Sequence, residues 1–297
     1  MNQALYKKFR RLLKMKTLSK YFKSPLAPLF QRGGGGIFLL VIFTLSSCTK
    51  DLVTGKKSYN WFDLNYDIKM GQQVIGEQLK ELKENKKTVD DEADSKMTSR
   101  IRTITRQIAA VSHYPQFPFE AHFAKVDIVN AWCAPGGKVM VYDGLFDQKK
   151  GLVKRNSEDE LAAVLGHEIA HATARHVTKS LSRNMTLMMV GQVAVSAISA
   201  SGQGEVQDMF NRAIVNGMNL YIPSYSRSNE AEADRIGIMY AAKAGYNPQA
   251  AVDLWYRACK SRGDSHDLYA SHPSNCERAK SLEALLPEAM KEYEKAH

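Results

Sequence analysis

The chain has 297 residues, 44% of them hydrophobic, and a formal net charge of +10. Nine of its 41 basic residues and none of its 31 acidic ones fall within residues 1–47, so the rest carries 32 basic against 31 acidic side chains. A body so nearly neutral excludes the basic footprint of a nucleic-acid-binding protein, and the apolar share is ordinary for a globular domain.

The basic N-terminal segment leads into the apolar run "IFLLVIFTL" at 37–45. Nine residues fall far short of the about 20 that span a bilayer, but suit the core of a signal peptide. The run ends in "LSSC", which resembles the bacterial lipobox: residues 1–47 would be removed and Cys48 lipidated. Residue 49 is Thr rather than Asp, which by resemblance to bacterial sorting rules favours the outer membrane. This places the body in the periplasm, lipid-anchored at Cys48. Three cysteines then remain, Cys133, Cys259 and Cys276, enough for one disulfide of unreadable connectivity in an exported, disulfide-permissive setting.

Residues 48–64 are polar, contain "VTGKK" and read as a tether to a single domain over 65–297. Helical periodicity covers about 65–84 and 95–112. From Pro115 the pattern alternates as in a strand, "APGG" at 134–137 reads as a turn, and "KVMVYDGLF" reads as a second strand, together a small antiparallel pair. "SEDE" at 157–160 is a capping box that opens a helix expected to run to about Ser182. The apolar stretch 185–200, interrupted by Gly191 and Gln192, is expected to be a buried or groove-lining helix rather than a span. A further helical pattern covers about 206–220, another helix opens near Ser228 and stops at Gly245, and Pro248 starts the next. A second capping box, Ser274 to Glu277, opens the last helix. Long helices with few strands imply a mainly helical α+β domain.

The chemistry concentrates in "LGHEIAHATARH". At about 100° per residue, His167 and His171 lie only about 40° apart on a helix face, so both imidazoles reach one metal ion. Glu168 stands beside that ion, placed to take a proton from its water. His176 is nine residues past His167, about 180° round a continuous helix, and is excluded as a ligand. The flanks are apolar, so the helix is buried, and buried His and Glu need partners that a metal supplies. A third ligand is expected from "SNEAEADRIG". Glu230 and Asp234, four apart, share a face, whereas Glu232 is about 160° off it. One of the two carboxylates would bind the metal and the other orient a ligand histidine; spacing does not say which.

"LGHEIAHATARH" with "NEAEADRIG" resembles the zinc metallopeptidase family of HtpX, the mitochondrial inner-membrane stress protease and the CAAX prenyl protease. The resemblance makes Glu230 the third ligand and implies a zincin-like fold with a small antiparallel sheet beside the active-site helix. "NAWCAPGGKVMVYDGL" resembles the family's substrate-edge strand, which assigns Asn130 to substrate binding, with the substrate backbone added near 139–142. "SHPSNCERAKSLEALLP" resembles its His-Pro…Arg segment, which brings His272 and Arg278 beside the site, to stabilise the oxyanion or position substrate. His272 could equally occupy the metal's fourth position in a resting state, and a Cys259–Cys276 bridge would then tie the ends of its loop. The segment after the lipobox resembles the envelope lipoprotein branch, with no room for the tetratricopeptide repeats some members append.

The implied protein is a zinc-dependent metalloendopeptidase with one Zn2+ per chain, held by His167, His171 and Glu230. Glu168 is the general base and Asp234 stands behind a ligand. Its partners would be protein or peptide substrates, unfolded or damaged envelope proteins, and the membrane through its anchor, with no nucleic acid. The alternative is a chaperone-like or scaffold lipoprotein with a silent site, against which the intact ligand set argues.

Overall fold

The computed structural model describes residues 48–51, 53, 55, 57–196, 225–262 and 275–297. The expected signal segment 1–47, the helical pattern at 206–220 and His272 lie outside them. The described residues divide into two compact units, a larger one of 64–176 with 225–262 and 275–297, and a smaller one drawn from 48–63 with 177–196.

In the larger unit, helix α1 (Leu64–Glu84) is followed by α2 (Asp91–Ala110). α2 buries Met97, Ile101, Ile104 and Ile108, an apolar stripe at spacings of three and four. Strands β3 (Glu120–Ala124), β4 (Ala131–Ala134) and β5 (Lys138–Tyr142) make a three-stranded sheet in the order β3-β5-β4. The β4–β5 pair is antiparallel, as its "APGG" turn demands, and Gly136 and Gly137 take the positive φ values (70° and 87°) of that turn. β3 joins β5 in parallel, so the sheet is mixed rather than wholly antiparallel.

This order corrects the expected substrate edge. β5, which contains 139–142, is the central strand and is buried along its length; β4 is the edge. The Tyr142 N–H donates to the Asn130 carbonyl at 3.1 Å. By antiparallel alternation Asn130, Trp132 and Ala134 turn their backbone groups to β5, while those of Ala131 and Cys133 turn to the other edge.

Helix α3 (Glu158–Thr173) begins where the capping box placed it: the Ser157 hydroxyl accepts from the Glu160 N–H at 3.2 Å. It does not run on to Ser182. It ends at Ala174, Arg175 takes φ 57°, and α4 (His176–Ser196) starts afresh. A left-handed non-glycine residue is uncommon, and Arg175 is pinned there by an ion pair to Asp67, itself 1% exposed. Neither Gly nor Pro marks the break, so the periodicity passes through it unnoticed.

Helix α5 (Arg227–Lys243) is capped by Ser226, whose side chain accepts from the Asn229 N–H, and it stops before Gly245, at φ 85°. α6 (Gln249–Arg262) and α7 (Asn275–Lys295) follow, joined by a disulfide between Cys259 and Cys276 that leaves Cys133 as the buried free thiol.

In the smaller unit, β1 (Cys48–Lys50) pairs antiparallel with β2 (Lys57–Tyr59). Residues 48–64 are therefore not a plain tether. Buried Asp51 pairs with Lys179, the Asn60 side chain donates to Thr178 Oγ1 at 3.0 Å and accepts from Ser182 Oγ at 3.1 Å, and the Trp61 N–H donates to Ser182 Oγ at 2.9 Å. Buried polar groups require such partners, and α4 supplies them. No helix among the described residues is long and apolar enough to cross a membrane.

Candidate metal centre

Helices α3 and α5 cross in close contact at a pair of glycines. A Cβ on Gly166 would meet the Gly237 carbonyl oxygen at 2.6 Å, and one on Gly237 would meet the His167 backbone nitrogen at 2.6 Å. With no side chain between them, the backbones approach closely enough for the short carboxylates of α5 to reach the imidazoles of α3.

Three groups converge there. His167 Nε2 lies 3.0 Å from His171 Nε2, Glu230 Oε2 lies 3.5 Å from the first and Glu230 Oε1 lies 3.4 Å from the second. The three residues are 6%, 1% and 3% exposed. Tetrahedral zinc with ligand bonds of about 2.0–2.1 Å sets its ligand atoms about 3.3 Å apart, which is the spacing of this triangle. Among the described residues, this is the one cluster of such side chains able to hold a metal ion. Two imidazoles and one carboxylate are the donor set of a catalytic zinc, so the residues fit the ion.

The surroundings hold these side chains in place. Asp234 Oδ1 meets His167 Nδ1 at 2.8 Å. The same carboxylate takes Arg278 bidentately, Nε to Oδ2 at 2.9 Å and Nη2 to Oδ1 at 2.6 Å. The guanidinium lies 3.8 Å over the Trp255 ring. Burial and Arg278 both disfavour a proton on His167, but Asp234 and Glu230 outweigh them and hold its pKa at about 9. The pocket therefore attracts positive charge at this ring. Burial drives His171 the other way, well below the ordinary range despite Glu230, so this ring stays neutral. Asp234 titrates low: burial raises it, but Arg278 and His167 prevail.

Glu168, 2% exposed, is the next residue on α3. Burial first, and then its charge, push up both the Cys133 thiol of β4 and the Tyr225 phenol. A small recess lined by Val164, Ile238, Leu254, Trp255 and Leu282 also reaches His167 and Glu168.

The structure thus brings together His167, Glu168, His171, Glu230 and Asp234. Asn130 lies immediately before the edge strand, 4% exposed, its Oδ1 buried with no hydrogen-bond partner in the structure. Arg278, expected to face substrate, is instead 5% exposed and turned onto Asp234 and Trp255. Cys48 opens β1 in the smaller unit.

Tyr225 escaped the sequence reading, and His176 and Glu232 were set aside by it. Tyr225 stacks on the His171 ring, centroids 3.8 Å apart at 21°; it precedes the helix cap and belongs to no periodic face. His176 Nδ1 meets His171 Nδ1 at 2.8 Å, and His176 Nε2 meets Glu232 Oε2 at 3.1 Å. His176, expected on the far side of a continuous helix, does not face away: the break at Arg175 turns it back toward His171. Glu232 is off the face of Glu230 and Asp234 yet is reached through His176.

Sequence comparison agrees with this geometry. The pattern of peptidase family M48 matches residues 95–286. The chain is 29% identical over 291 residues to the mitochondrial metalloendopeptidase OMA1 of Schizosaccharomyces pombe, covering 97% of this chain and 78% of that protein. It is 34% identical over 175 residues to the OMA1 of Arabidopsis thaliana, covering 59% of this chain and 33% of that one. It is 31% identical over 187 residues to the beta-barrel assembly-enhancing protease of Yersinia pestis, covering 61% of this chain and 37% of that protein. The chain thus spans most of the fission-yeast relative but only about a third of the other two. Because the family pattern runs from α2 to α7 and encloses the whole ligand set, the chain belongs to peptidase family M48 and is a metalloprotease.

Proposed function

We propose that the chain is a zinc-dependent endopeptidase of the bacterial envelope, anchored through Cys48 to the outer membrane and facing the periplasm. The observation that carries the enzymatic part is the convergence of His167 Nε2, His171 Nε2 and a Glu230 oxygen at 3.0–3.5 Å with Glu168 beside them. Zinc held there supplies Lewis acidity toward a carbonyl oxygen and lowers the pKa of a water in the open position. Glu168 takes the proton of the attacking water and returns it to the leaving amine. Arg278 acts by holding Asp234, and through it the His167 ring, rather than by touching substrate. The peptide backbone adds to the outer edge of β4 near Cys133, with the buried amide of Asn130 beside it. Reading by backbone gives weak sequence preference, which suits removal of unfolded or damaged envelope proteins.

The envelope assignment rests on the basic segment, the apolar run and "LSSC" in order. The likeness to a beta-barrel assembly-enhancing protease supports it. Within the family we place the chain in the lipoprotein branch, beside HtpX and CAAX proteases in motif.

Glu168→Gln tests this reading: it should keep one zinc per chain while casein cleavage falls about 10²–10⁴-fold. Both are read on one purified sample, and near-normal cleavage removes Glu168 from the mechanism. Replacing Cys48 by Ser should release the protein from the membrane fraction.

A further inference from the structure

The two ligand histidines are oriented differently. His167 has a carboxylate directly behind it. Behind His171 stands a second imidazole, with a carboxylate behind that: His171 Nδ1 to His176 Nδ1 at 2.8 Å, His176 Nε2 to Glu232 Oε2 at 3.1 Å. His171 and His176 are 1% and 2% exposed, so water does not compete for these nitrogens. The rings stand nearly perpendicular, at 73°, with centroids 4.9 Å apart.

We infer that His176 and Glu232 are positioning residues that fix the tautomer and ring orientation of His171, so that its Nε2 lone pair is delivered to the metal. A neutral imidazole has one N–H and one lone pair. With Nε2 engaged on the metal, the His171 proton is at Nδ1, and it donates to His176. His176 must then accept at Nδ1 and carry its own proton at Nε2, which donates to the Glu232 carboxylate. The opposite tautomer of His176 would set two acceptors face to face at Glu232. One carboxylate thus fixes two rings in series, and each hydrogen bond on the path has one donor and one acceptor. Metal-bound histidines generally give their second N–H to a carboxylate, carbonyl or water; here a histidine is interposed. Tyr225 stacks on the His171 ring at 3.8 Å and hinders its rotation.

Two features build this chain. The left-handed Arg175, anchored on Asp67, ends α3 and returns His176 toward the site. Glu232, two residues from Glu230, is carried by the same helix as the third ligand. The helix that completes the metal triangle therefore also orients one of its corners.

This inference rests on His171 being a metal ligand, and the experiment separates the two. Zinc affinity is measured on the full chain by competition with a chromophoric chelator, after circular dichroism has confirmed folding. His176→Ala should weaken zinc about 10–100-fold. Glu232→Ala should weaken it too, by less, and the double variant should be no weaker than His176→Ala alone, since the proposed effect of Glu232 on the metal passes through His176. Glu232→Gln, whose amide oxygen still accepts from Nε2–H, should recover part of the loss. Histidine ring ¹⁵N NMR of the zinc-loaded wild type should show His171 protonated at Nδ1 and His176 at Nε2. A pair that merely packed the fold would lower Tm and move neither affinity nor tautomers. Unchanged affinity in His176→Ala, additive losses in the double variant, or His176 protonated at Nδ1 overturns the inference. If His176→Ala fails to fold, the wild-type NMR and the Glu232 variants still decide. Wild-type zinc affinity in His171→Ala would instead sink the metal reading itself.

Discussion

Helix α3 is held by two carboxylate–guanidinium pairs, one at its start and one midway along it, and the two pairs do different work. At its start Glu160 accepts from Arg257 Nη1 and Nη2 at 2.9 and 2.8 Å and from the Lys154 N–H at 2.8 Å, with Lys154 Nζ at 3.3 Å. Midway along it Asp234 accepts from Arg278 Nε and Nη2 at 2.9 and 2.6 Å and faces His167 Nδ1 at 2.8 Å. Both carboxylates are 4% exposed and both titrate below their ordinary range. The first pair is closed: both Glu160 oxygens are taken by Arg257 and Lys154, and Arg257 Nη2 also donates to the Leu152 carbonyl at 2.9 Å. The second passes its constraint through an imidazole whose other nitrogen points at two further donors. Burial and ion pairing do not by themselves mark a functional site; a set of lone pairs converging on one point does.

The comparison breaks most easily at the ligand. Glu230→Ala removes a corner of the triangle, so zinc content should fall to background and proteolysis with it; plasma mass spectrometry of the purified chain reads the metal. Full zinc occupancy in that variant would mean the α5 carboxylates are not part of the site. Asp234→Asn is milder: it keeps the shape, loses the charge behind His167 and should weaken zinc about 10–100-fold, read by chelator competition. Arg257→Ala is the counterpart at the closed pair. It strands a buried carboxylate, but Arg257 is 37% exposed and water can reach the gap. The loss should therefore be about 1–3 kcal/mol in urea unfolding, with zinc affinity within twofold of wild type. A variant that kept its stability but lost zinc would erase the distinction drawn here.

Acid sharpens the comparison with the smallest expected effect. Burial raises Glu160, but Arg257 and the Lys154 N–H win, so its folded pKa lies below 4.5. A depressed carboxylate contributes stability that is complete above its unfolded value and is lost as pH falls through the folded one. The Tm gap between wild type and Glu160→Gln should therefore be constant above about pH 5 and narrow below pH 4.5. A gap that widened in acid would reverse the assignment.

Much of this was legible in residue spacing, because local periodicity survives folding. His167 and His171 share a face, as do Glu230 and Asp234, and these pairs reappear in space at the α3–α5 crossing. What was lost depends on tertiary contact. Arg175 is left-handed because Asp67, 108 residues earlier, pairs with it, and no glycine or proline announces the break. A continuous helix would send His176 to the far side, so its link to Glu232, which lies off the face of Glu230 and Asp234 as its spacing implies, could not be read. The strand order β3-β5-β4 is likewise a long-range choice, so the edge was assigned to the wrong member of the β4–β5 pair. Arg278 reads as a substrate contact in sequence because only packing shows it folded inward against Trp255.

The central claim is that two imidazoles of α3 and one carboxylate of α5 hold a single zinc ion. Zinc-edge X-ray absorption on the zinc-loaded full chain tests it most directly. The account predicts a shell of nitrogen and oxygen only, with imidazole scattering in wild type that is reduced in His171→Ala and a carboxylate contribution that is absent in Glu230→Ala. A sulfur ligand, or a shell unchanged by both substitutions, would contradict it.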